Sequence, residues 1–309
     1  MTTSGSVSVV IPTTGRSSVT AAVESALQQT ISPIEIIVVM DGEGEVNLPR
    51  GLPSVSVVRT AGRQGAGVAR QVGINAASGD VIALLDDDDV WHRQKLELQL
   101  AAVPNTAEWI VSCRFSAQRP GKKPVTIPEE LIRDDTPVCE YIYLRRSFGF
   151  GRSSLQTSTL VFPRRVAQAV PWSATAGSVN DDPEWLAAVQ RGFPEVRIVQ
   201  IPDVLVDYGL TPESLSRSNQ DRSSAYIEWG LRELSANSAR VRGDYLLTGP
   251  VSAAVTAGSV SGVLRSMRAG ATHGRPGAWA WAYAAAAIPR IGLQQCRRRI
   301  LRIREWCQT

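Results

Sequence analysis

The first third of the chain alternates short apolar runs with segments whose apolar residues recur at helical spacing. The runs carry no polar alternation, which is typical of strands buried on both faces of a parallel sheet. Strands are predicted at residues 7–11, 34–40, 55–58 and 81–85. Helices are predicted to begin at Ser17 or Ser18, to cover 65–77, and to carry Leu96, Leu100 and Val103 on one face. This alternation predicts an α/β fold with a mostly parallel sheet and flanking helices.

The pattern changes twice further along the chain. Strands are predicted at residues 109–115, 156–162, 196–201 and 204–208, a helix at 184–190, and loops at 119–128 and 141–154. Beyond about residue 222 the strand pattern ends, and alanine-rich helices separated by Gly249-Pro250 and Pro276-Gly277 follow. We therefore expect one domain at 1–221 and a helical C-terminal region at 222–309.

Composition and charge are those expected of a folded globular protein. The chain has 309 residues, is 43% hydrophobic and 20% charged, and has a formal net charge of +4, as expected for a folded globular protein. The four cysteines are widely spaced without a CxxC pair, which favours neither a zinc site nor a disulfide framework and suggests a reducing cytoplasm. The N-terminus lacks the pattern of a signal peptide, and no apolar stretch reaches the length of a membrane span.

Four consecutive carboxylates, Asp86 to Asp89, directly follow the apolar run at 81–85. Packed inside the protein they would repel each other, so they must be solvated or must surround a cation and its ligand. Ligands of open α/β sheets bind at the carboxyl ends of strands. The simpler alternative is a solvated acidic turn that leads into a helix starting near Trp91, with Asp89 at the helix entry.

Other polar residues are expected at the same edge of the sheet. Asp41 follows the second predicted strand, and the small hydroxylated loop at residues 12–15 follows the first. Such a loop ahead of a helix can bind an anionic or nucleotide group through backbone N–H donors, although Thr13 and Thr14 can equally serve as simple helix caps. Asp181 and Asp182 precede a helix far downstream; a plain N-cap is the alternative to a catalytic role for them.

Four blocks in order resemble glycosyltransferase family 2. They are VSVVIPT at 7–13, IIVVMDG at 36–42, GVARQVGINAASGD at 67–80 and LLDDDDVW at 84–91. The resemblance covers roughly residues 6–218. It implies the GT-A fold, with a nucleotide-sugar-binding half at about 1–115 and an acceptor half at about 116–221. It also implies a metal-dependent enzyme that moves a sugar from a nucleotide-sugar to a hydroxyl acceptor with inversion, in the synthesis of a glycan, polysaccharide or glycoconjugate.

The resemblance assigns roles to the residues of the donor half. Asp41 matches the acid that binds the nucleotide base, beside Pro12 and Thr13, and Arg70 matches a basic residue near the nucleotide-sugar. Asp86, Asp87 and Asp88 cover a DXD-type motif. Asp88 is the expected metal ligand with the help of Asp86, and Asp87 is expected nearer the ribose. The implied cofactor is Mn²⁺ or Mg²⁺, since a hard cation prefers carboxylate and phosphate oxygens, and a UDP-sugar is the expected donor.

The acceptor half carries the implied base. Asp182, followed by a helix, matches the catalytic base of the family. The family often has Glu-Asp at this block, whereas this chain has Asp-Asp, so Asp181 is the alternative. Trp185, Thr157 and Ser158 are the candidates for the acceptor region, although buried packing is the commoner role of such a tryptophan. The family often has a basic residue or histidine after the strand near Tyr208, whereas here Ser216 or Arg217 would supply a further phosphate contact.

The C-terminal region is basic. Arg290, Arg297, Arg298, Arg299, Arg302 and Arg304 follow an aromatic segment at 279–283. Arginines beside Trp and Tyr suit contact with an anionic membrane at the inner face of the cell; a packed helical hairpin with a basic solvent face is the alternative. The acceptor would be a saccharide or lipid-linked glycan, and nucleic acid is not expected as a partner. The competing functions are a sugar nucleotidyltransferase and a non-catalytic, transferase-like scaffold at the membrane surface.

Overall fold

The computed structural model describes residues 5–46, 48, 54–118, 123–148, 151–173, 177–209 and 220–306, with side chains up to residue 294. The chain forms two compact units. The first comprises Met1–Ile142 with Gly151–Thr211, and the second comprises Tyr143–Phe150 with Pro212–Thr309. The predicted division at residue 222 stays a prediction.

The bounds of the strands and helices follow the chain order. The strands are β1 (Val7–Thr13), β2 (Glu35–Met40), β3 (Val55–Arg59), β4 (Val81–Leu84), β5 (Val90–Trp91), β6 (Trp109–Ala117), β7 (Val125–Ile127), β8 (Val161–Pro163) and β9 (Arg197–Tyr208). The helices are α1 (Val19–Leu27), α2 (Ala66–Ala76), α3 (Lys95–Ala101), α4 (Val138–Tyr143), α5 (Arg164–Ala169), α6 (Asp181–Gly192), α7 (Ser223–Glu233), α8 (Ala239–Leu246), α9 (Gly249–Ala257), α10 (Val260–His273) and α11 (Ala278–Trp306).

The first unit is built around one mixed sheet with the strand order β3-β2-β1-β4-β8-β6-β9-β5, and β7 pairs with β6. Strands β3, β2, β1 and β4 are parallel neighbours, and β8 joins β4 in the antiparallel direction. Every residue of β1 and β4 is buried, because separate apolar clusters cover the two faces of the sheet. The predicted α/β, GT-A-like fold with a helical C-terminal segment is confirmed.

Helix α2 lies unusually close to the parallel strands. A Cβ atom added at Gly73 would lie 2.4 Å from Val10 Cγ1 and 2.8 Å from Val39 Cγ2. Only glycine allows this approach, which places the N-terminal half of α2 directly beside the carboxyl ends of β1, β2 and β4. The side chain of Arg70 extends from that part of the helix.

Proline residues caused two errors in the predicted strand bounds. Strand β1 continues through Pro12 to Thr13. The carbonyl of Val10 accepts the N–H of Leu85, so the backbone of Val10 faces β4. The backbone of Pro12, two residues later, faces the same way but lies beyond the end of β4. Because no strand lies opposite it there, the N–H that proline lacks is not needed for a hydrogen bond within the sheet. Similarly, the two strands predicted at 196–208 form the single strand β9, whose pairing with β6 shifts register opposite Cys113 and Arg114. The residues at 202–203 fit into that bulge.

Other local predictions were wrong as well, and the loop predicted at 119–128 contains β7. The segment 156–162 is a 3₁₀ turn, Thr157–Thr159, followed by the short strand β8. The acidic run does not lead into a helix at Trp91, because Val90 and Trp91 pair with β9 as strand β5 and the next helix starts at Lys95. The loop predicted at 141–154 also begins inside α4.

The second unit is helical, as the sequence predicted beyond residue 222. Its core packs α9, α10 and α11 around Leu247, Val251 and Val263. In the part of the chain that the structure describes, no helix combines the length and apolar character needed to cross a membrane. The predicted arginine cluster after Arg290 has its side chains outside the described residues.

Candidate active site

The carboxyl ends of β1, β2 and β4 bring the predicted polar residues to one edge of the sheet. Thr13 ends β1, Asp41 directly follows β2, and the acidic run follows β4 after Leu85. Because these strands are parallel neighbours in the order β2-β1-β4, residues distant in sequence become neighbours. The backbone of Pro12 lies within β1, where it pairs in register with Val39.

Asp87 is held by the loop that follows β1. Thr13 Oγ1 donates to Asp87 Oδ2 over 2.5 Å, and Arg16 forms a bidentate ion pair with the same carboxylate. Burial is the main cause that raises the pKa of Asp87, while Thr13 and Arg16 act in the opposite direction. With its side chain 1% exposed, Asp87 anchors the acidic run to the first loop. Its predicted role near the ribose stays a prediction.

Arg70 connects the acidic run with the proposed base. Its side chain is 6% exposed, and Nη2 lies 2.7 Å from Asp86 Oδ1 while Nη1 lies 3.6 Å from Asp182 Oδ1. Burial lowers the pKa of Arg70, but Asp86 and Asp182 raise it to a net value above its ordinary range. The guanidinium therefore stays charged between two carboxylates from distant parts of the chain.

Asp182 lies in the first turn of α6. Its Oδ2 accepts the backbone N–H of Thr157 over 3.2 Å, and its side chain is 24% exposed. Burial is the largest cause that raises the pKa of Asp182; Arg70 lowers it, and Asp86 raises it. A carboxylate with a raised pKa beside a cation can accept a proton more readily than an ordinary surface aspartate.

Asp86 and Asp88 each keep one carboxylate oxygen without a hydrogen bond from the described residues. Asp86 Oδ1 pairs with Arg70, and Asp88 Oδ2 pairs with Arg16 Nη1 over 3.0 Å. Among the described residues no group of three acidic, histidine or cysteine side chains could hold a metal ion. Mg²⁺ commonly uses only one or two protein carboxylates together with phosphate oxygens, so the two free oxygens fit a cation that arrives with a diphosphate.

Asp41 organises the turn between β3 and α2. Its Oδ1 accepts Thr60 Oγ1 over 2.5 Å and the N–H of Gln64 over 2.8 Å, and its Oδ2 accepts the N–H of Gly65 over 2.7 Å. The carboxylate therefore binds backbone donors at the start of α2, where negative charge is favoured. The sequence placed Asp41 at this edge but did not predict this role, and its contact with a base stays a prediction.

Asp89 is a buried anchor, which corrects the expectation that it begins a helix. It accepts Ser158 Oγ over 2.5 Å, Gln156 Nε2 over 2.9 Å and the N–H of Gly209 over 2.8 Å. Burial, the largest cause, raises the pKa of Asp89 to about 8, and Asp86 acts in the same direction. Its hydrogen bonds fasten the acidic run to the 3₁₀ turn and to the end of β9.

The three candidates for the acceptor region are buried. Thr157 and Ser158 are fully buried, and Ser158 Oγ accepts the N–H of Asp86 over 2.9 Å. Trp185 is 3% exposed, and its Nε1 donates to the carbonyl of Val170. Thr157 and Ser158 hydrogen-bond the acids of the site, and the place of all three residues in the acceptor region stays a prediction. The candidates Ser216 and Arg217 lie outside the described residues.

Two important residues escaped the sequence analysis. Arg16, in the loop that follows β1, pairs with both Asp87 and Asp88. The ring of Trp172 lies against the guanidinium of Arg70, with 5.1 Å between the ring centroid and Cζ. A basic residue soon after a strand that ends beside an acidic run would have indicated Arg16. The position of Trp172 depends on tertiary packing and has no such local pattern.

Comparisons with known proteins find glycosyltransferases. The sequence profile described as "Glycosyl transferase family 2" matches residues 8–157. The chain is 27% identical over 210 residues to the amylovoran biosynthesis glycosyltransferase AmsB of Erwinia amylovora. This alignment covers 63% of this chain and 67% of that protein. It is 30% identical over 100 residues to WfgD of Escherichia coli, a UDP-Glc:alpha-D-GlcNAc-diphosphoundecaprenol beta-1,3-glucosyltransferase, with 31% of this chain and 40% of that protein covered.

One solved structure shows the same fold. It is that of S. aureus TarS residues 1–349 in complex with UDP-GlcNAc, with a TM-score of 0.55 and 15% sequence identity. The superposition covers 85% of this chain and 81% of that one. At this identity the likeness concerns the fold alone.

We predict that Asp41→Asn destabilises the protein without touching the acidic run. The amide nitrogen of asparagine cannot accept a hydrogen bond, so one set of backbone donors loses its partner, and the free energy of unfolding should fall by about 1–3 kcal/mol. Urea unfolding of the variant against Asp80→Asn, an exposed aspartate that accepts one hydroxyl, measures this. Equal stability of the two variants would contradict the role of Asp41 in the turn.

Proposed function

We propose that this chain is a glycosyltransferase of glycosyl transferase family 2. It transfers a sugar from a nucleotide-sugar, for which a UDP-sugar is the best candidate, to a hydroxyl of a glycan acceptor. The product would be a polysaccharide or another glycoconjugate. The chain aligns with only about two thirds of AmsB and two fifths of WfgD. The substrates of these relatives therefore support the proposed reaction but do not determine the substrates of this chain.

The observation that carries the proposal is the position of Arg70. It lies between Asp86, at the end of the strand that leads into the acidic run, and Asp182, at the start of α6. A donor bound at the acidic run would therefore present its sugar near a carboxylate that can act as a base. A simple nucleotide-binding module would not require a second, half-buried carboxylate at this point.

The donor is proposed to bind at the edge formed by β1, β2 and β4. Its base and ribose would contact the loop after β1 together with Asp41 and Asp87, while Asp88 and Asp86 would hold Mn²⁺ or Mg²⁺ through their free oxygens. When bound, this cation neutralises charge on the diphosphate leaving group. In the structure described, Arg16 pairs with the carboxylate of Asp87 and with Oδ2 of Asp88, which leaves Asp88 Oδ1 for the cation.

Asp182 is proposed to accept the proton of the acceptor hydroxyl. As the proton moves to the carboxylate, the hydroxyl oxygen forms a bond to the anomeric carbon, and the bond from that carbon to the β-phosphate oxygen breaks. The nucleoside diphosphate leaves with the bonding electrons. Attack from the side opposite the leaving group inverts the anomeric carbon. Arg70 holds Asp182 in place and favours its ionised form.

The acceptor and the cellular location are proposals at a coarser level. WfgD takes its name from a GlcNAc-diphosphoundecaprenol acceptor, which supports a lipid-linked glycan as the acceptor of this chain. A cytoplasmic enzyme whose basic C-terminal segment contacts the inner face of the membrane would meet such an acceptor. An anionic surface would attract the arginines that follow Arg290.

We predict that Asp88→Ala abolishes the contribution of metal to donor binding. Without this carboxylate a cation has only Asp86 as a protein ligand, so UDP-sugar affinity should no longer rise when Mn²⁺ is added. Isothermal titration calorimetry with and without Mn²⁺ measures the effect, and Asp135→Ala, which removes an exposed aspartate, is the control. An undiminished Mn²⁺ effect in Asp88→Ala would refute the ligand assignment.

A second variant separates binding from chemistry. Asp182→Asn should retain donor affinity within a few-fold but should lower kcat roughly 10²–10⁴-fold, because the amide cannot accept the proton. Asp181→Asn is the matched control, since it changes the neighbouring carboxylate, and it should retain most of the activity. If Asp181→Asn is the inactive variant, the base is Asp181 instead.

A further inference from the structure

Trp172 occupies a position next to the proposed active site to which no role has been assigned. It lies between α5 and α6, is 4% exposed, and its backbone N–H donates to Gln71 Oε1 over 2.9 Å. One face of its ring lies against the guanidinium of Arg70. The neighbouring residues Arg70 and Gln71 of α2 therefore both contact Trp172.

Trp185 also stacks on Trp172. The two indole rings stack with centroids 4.7 Å apart and an interplanar angle of 11°. Trp185 in turn packs against Phe162 of β8 at 4.7 Å and donates through Nε1 to the carbonyl of Val170. A series of contacts thus links β8 through both indoles to the guanidinium.

One member of this series, Trp185, lies on α6, the helix that carries the proposed base. Trp185 follows Asp182 by three residues in α6, and residues at this spacing share one side of a helix. The same side of α6 therefore meets Trp172 through Trp185 and Arg70 through Asp182. Of the two ion pairs of Arg70, the one with Asp182 is the longer, 3.6 Å against 2.7 Å for Asp86.

We propose that Trp172 is a positioning residue for sugar transfer, which it supports by holding Arg70 between Asp86 and Asp182. The indole contacts neither the donor nor the acceptor in this role. The indole ring keeps the guanidinium of Arg70 in an orientation in which it pairs with both Asp86 and Asp182. It also sets the distance between α2 and α6. This inference rests on the proposed function, because it takes Asp182 as the base.

The effect should fall on turnover more than on donor affinity. In Trp172→Leu the guanidinium loses its aromatic partner and can move towards Asp86, to which it is already closer. A cation–π contact of this kind contributes enough to change a rate by about tenfold. We therefore expect kcat to fall about tenfold while the KM for the UDP-sugar changes less than threefold.

The test compares Trp172→Leu, Trp172→Phe and Trp109→Leu with the wild-type chain. Trp172→Phe keeps an aromatic face and should restore most of kcat. Trp109→Leu removes another buried indole, from β6 in the cluster on the opposite face of the sheet, and controls for general loss of packing. Thermal unfolding of all variants shows whether each is folded at the assay temperature.

Each outcome decides the proposal. A low kcat in Trp172→Leu with recovery in Trp172→Phe, at a melting temperature similar to that of Trp109→Leu, supports it. An unchanged kcat in Trp172→Leu, an equal loss in Trp109→Leu, or no recovery with phenylalanine would overturn it. If the wild-type chain neither binds nor turns over any of the nucleotide-sugars offered, the proposed function itself fails, which calorimetry on the wild-type protein alone reveals.

Discussion

The site depends on keeping several carboxylates together at one edge of a sheet. Asp86, Asp87 and Asp88 follow a fully buried strand, and Asp182 approaches from a helix about a hundred residues later in the chain. Unpaired carboxylates in such a place would repel each other and lose hydration. Arg16 and Arg70 offset this repulsion, and each of them bridges two of the acids. The two arginines make the acidic edge compatible with a stable fold.

The surrounding structure exists largely to place these two cations and their partners. Gly73 allows α2 to approach the parallel strands so that Arg70 can reach the acidic run, and Asp41 fixes the turn before the same helix. Beneath the run, Asp89 and Ser158 tie it to the 3₁₀ turn. Buried groups that do not face a substrate thus hold the polar groups that would face it. Such support lets a site keep its geometry before a ligand binds.

The sequence predicted the parallel core and the main site acids because both depend on local patterns. Apolar runs ended by polar residues located β1, β2 and β4, and the order of four blocks indicated the family. Prediction failed where the environment decides. The acids of the run look equivalent in sequence, yet Asp89 points inward to Ser158 while Asp88 keeps a free oxygen. Trp185 follows a proposed base, but its stacking on Trp172 became visible only in three dimensions. Pro12 and the residues at 202–203 suggested strand ends because the pairing that accommodates them is not local.

The most direct test of this account is the pH dependence of the stability lost in Arg70→Met. Removing the guanidinium leaves Asp86 and Asp182 uncompensated, so at pH 7 the free energy of unfolding should fall by about 3–5 kcal/mol. Burial raises the pKa of Asp182 and so already disfavours its charged form, and loss of the cation raises that pKa further. Protonation then relieves the repulsion, and the loss should shrink as the pH is lowered to 5. Urea unfolding of both proteins at the two pH values gives the answer, and an equal loss at both would mean that Arg70 stabilises the fold by packing alone.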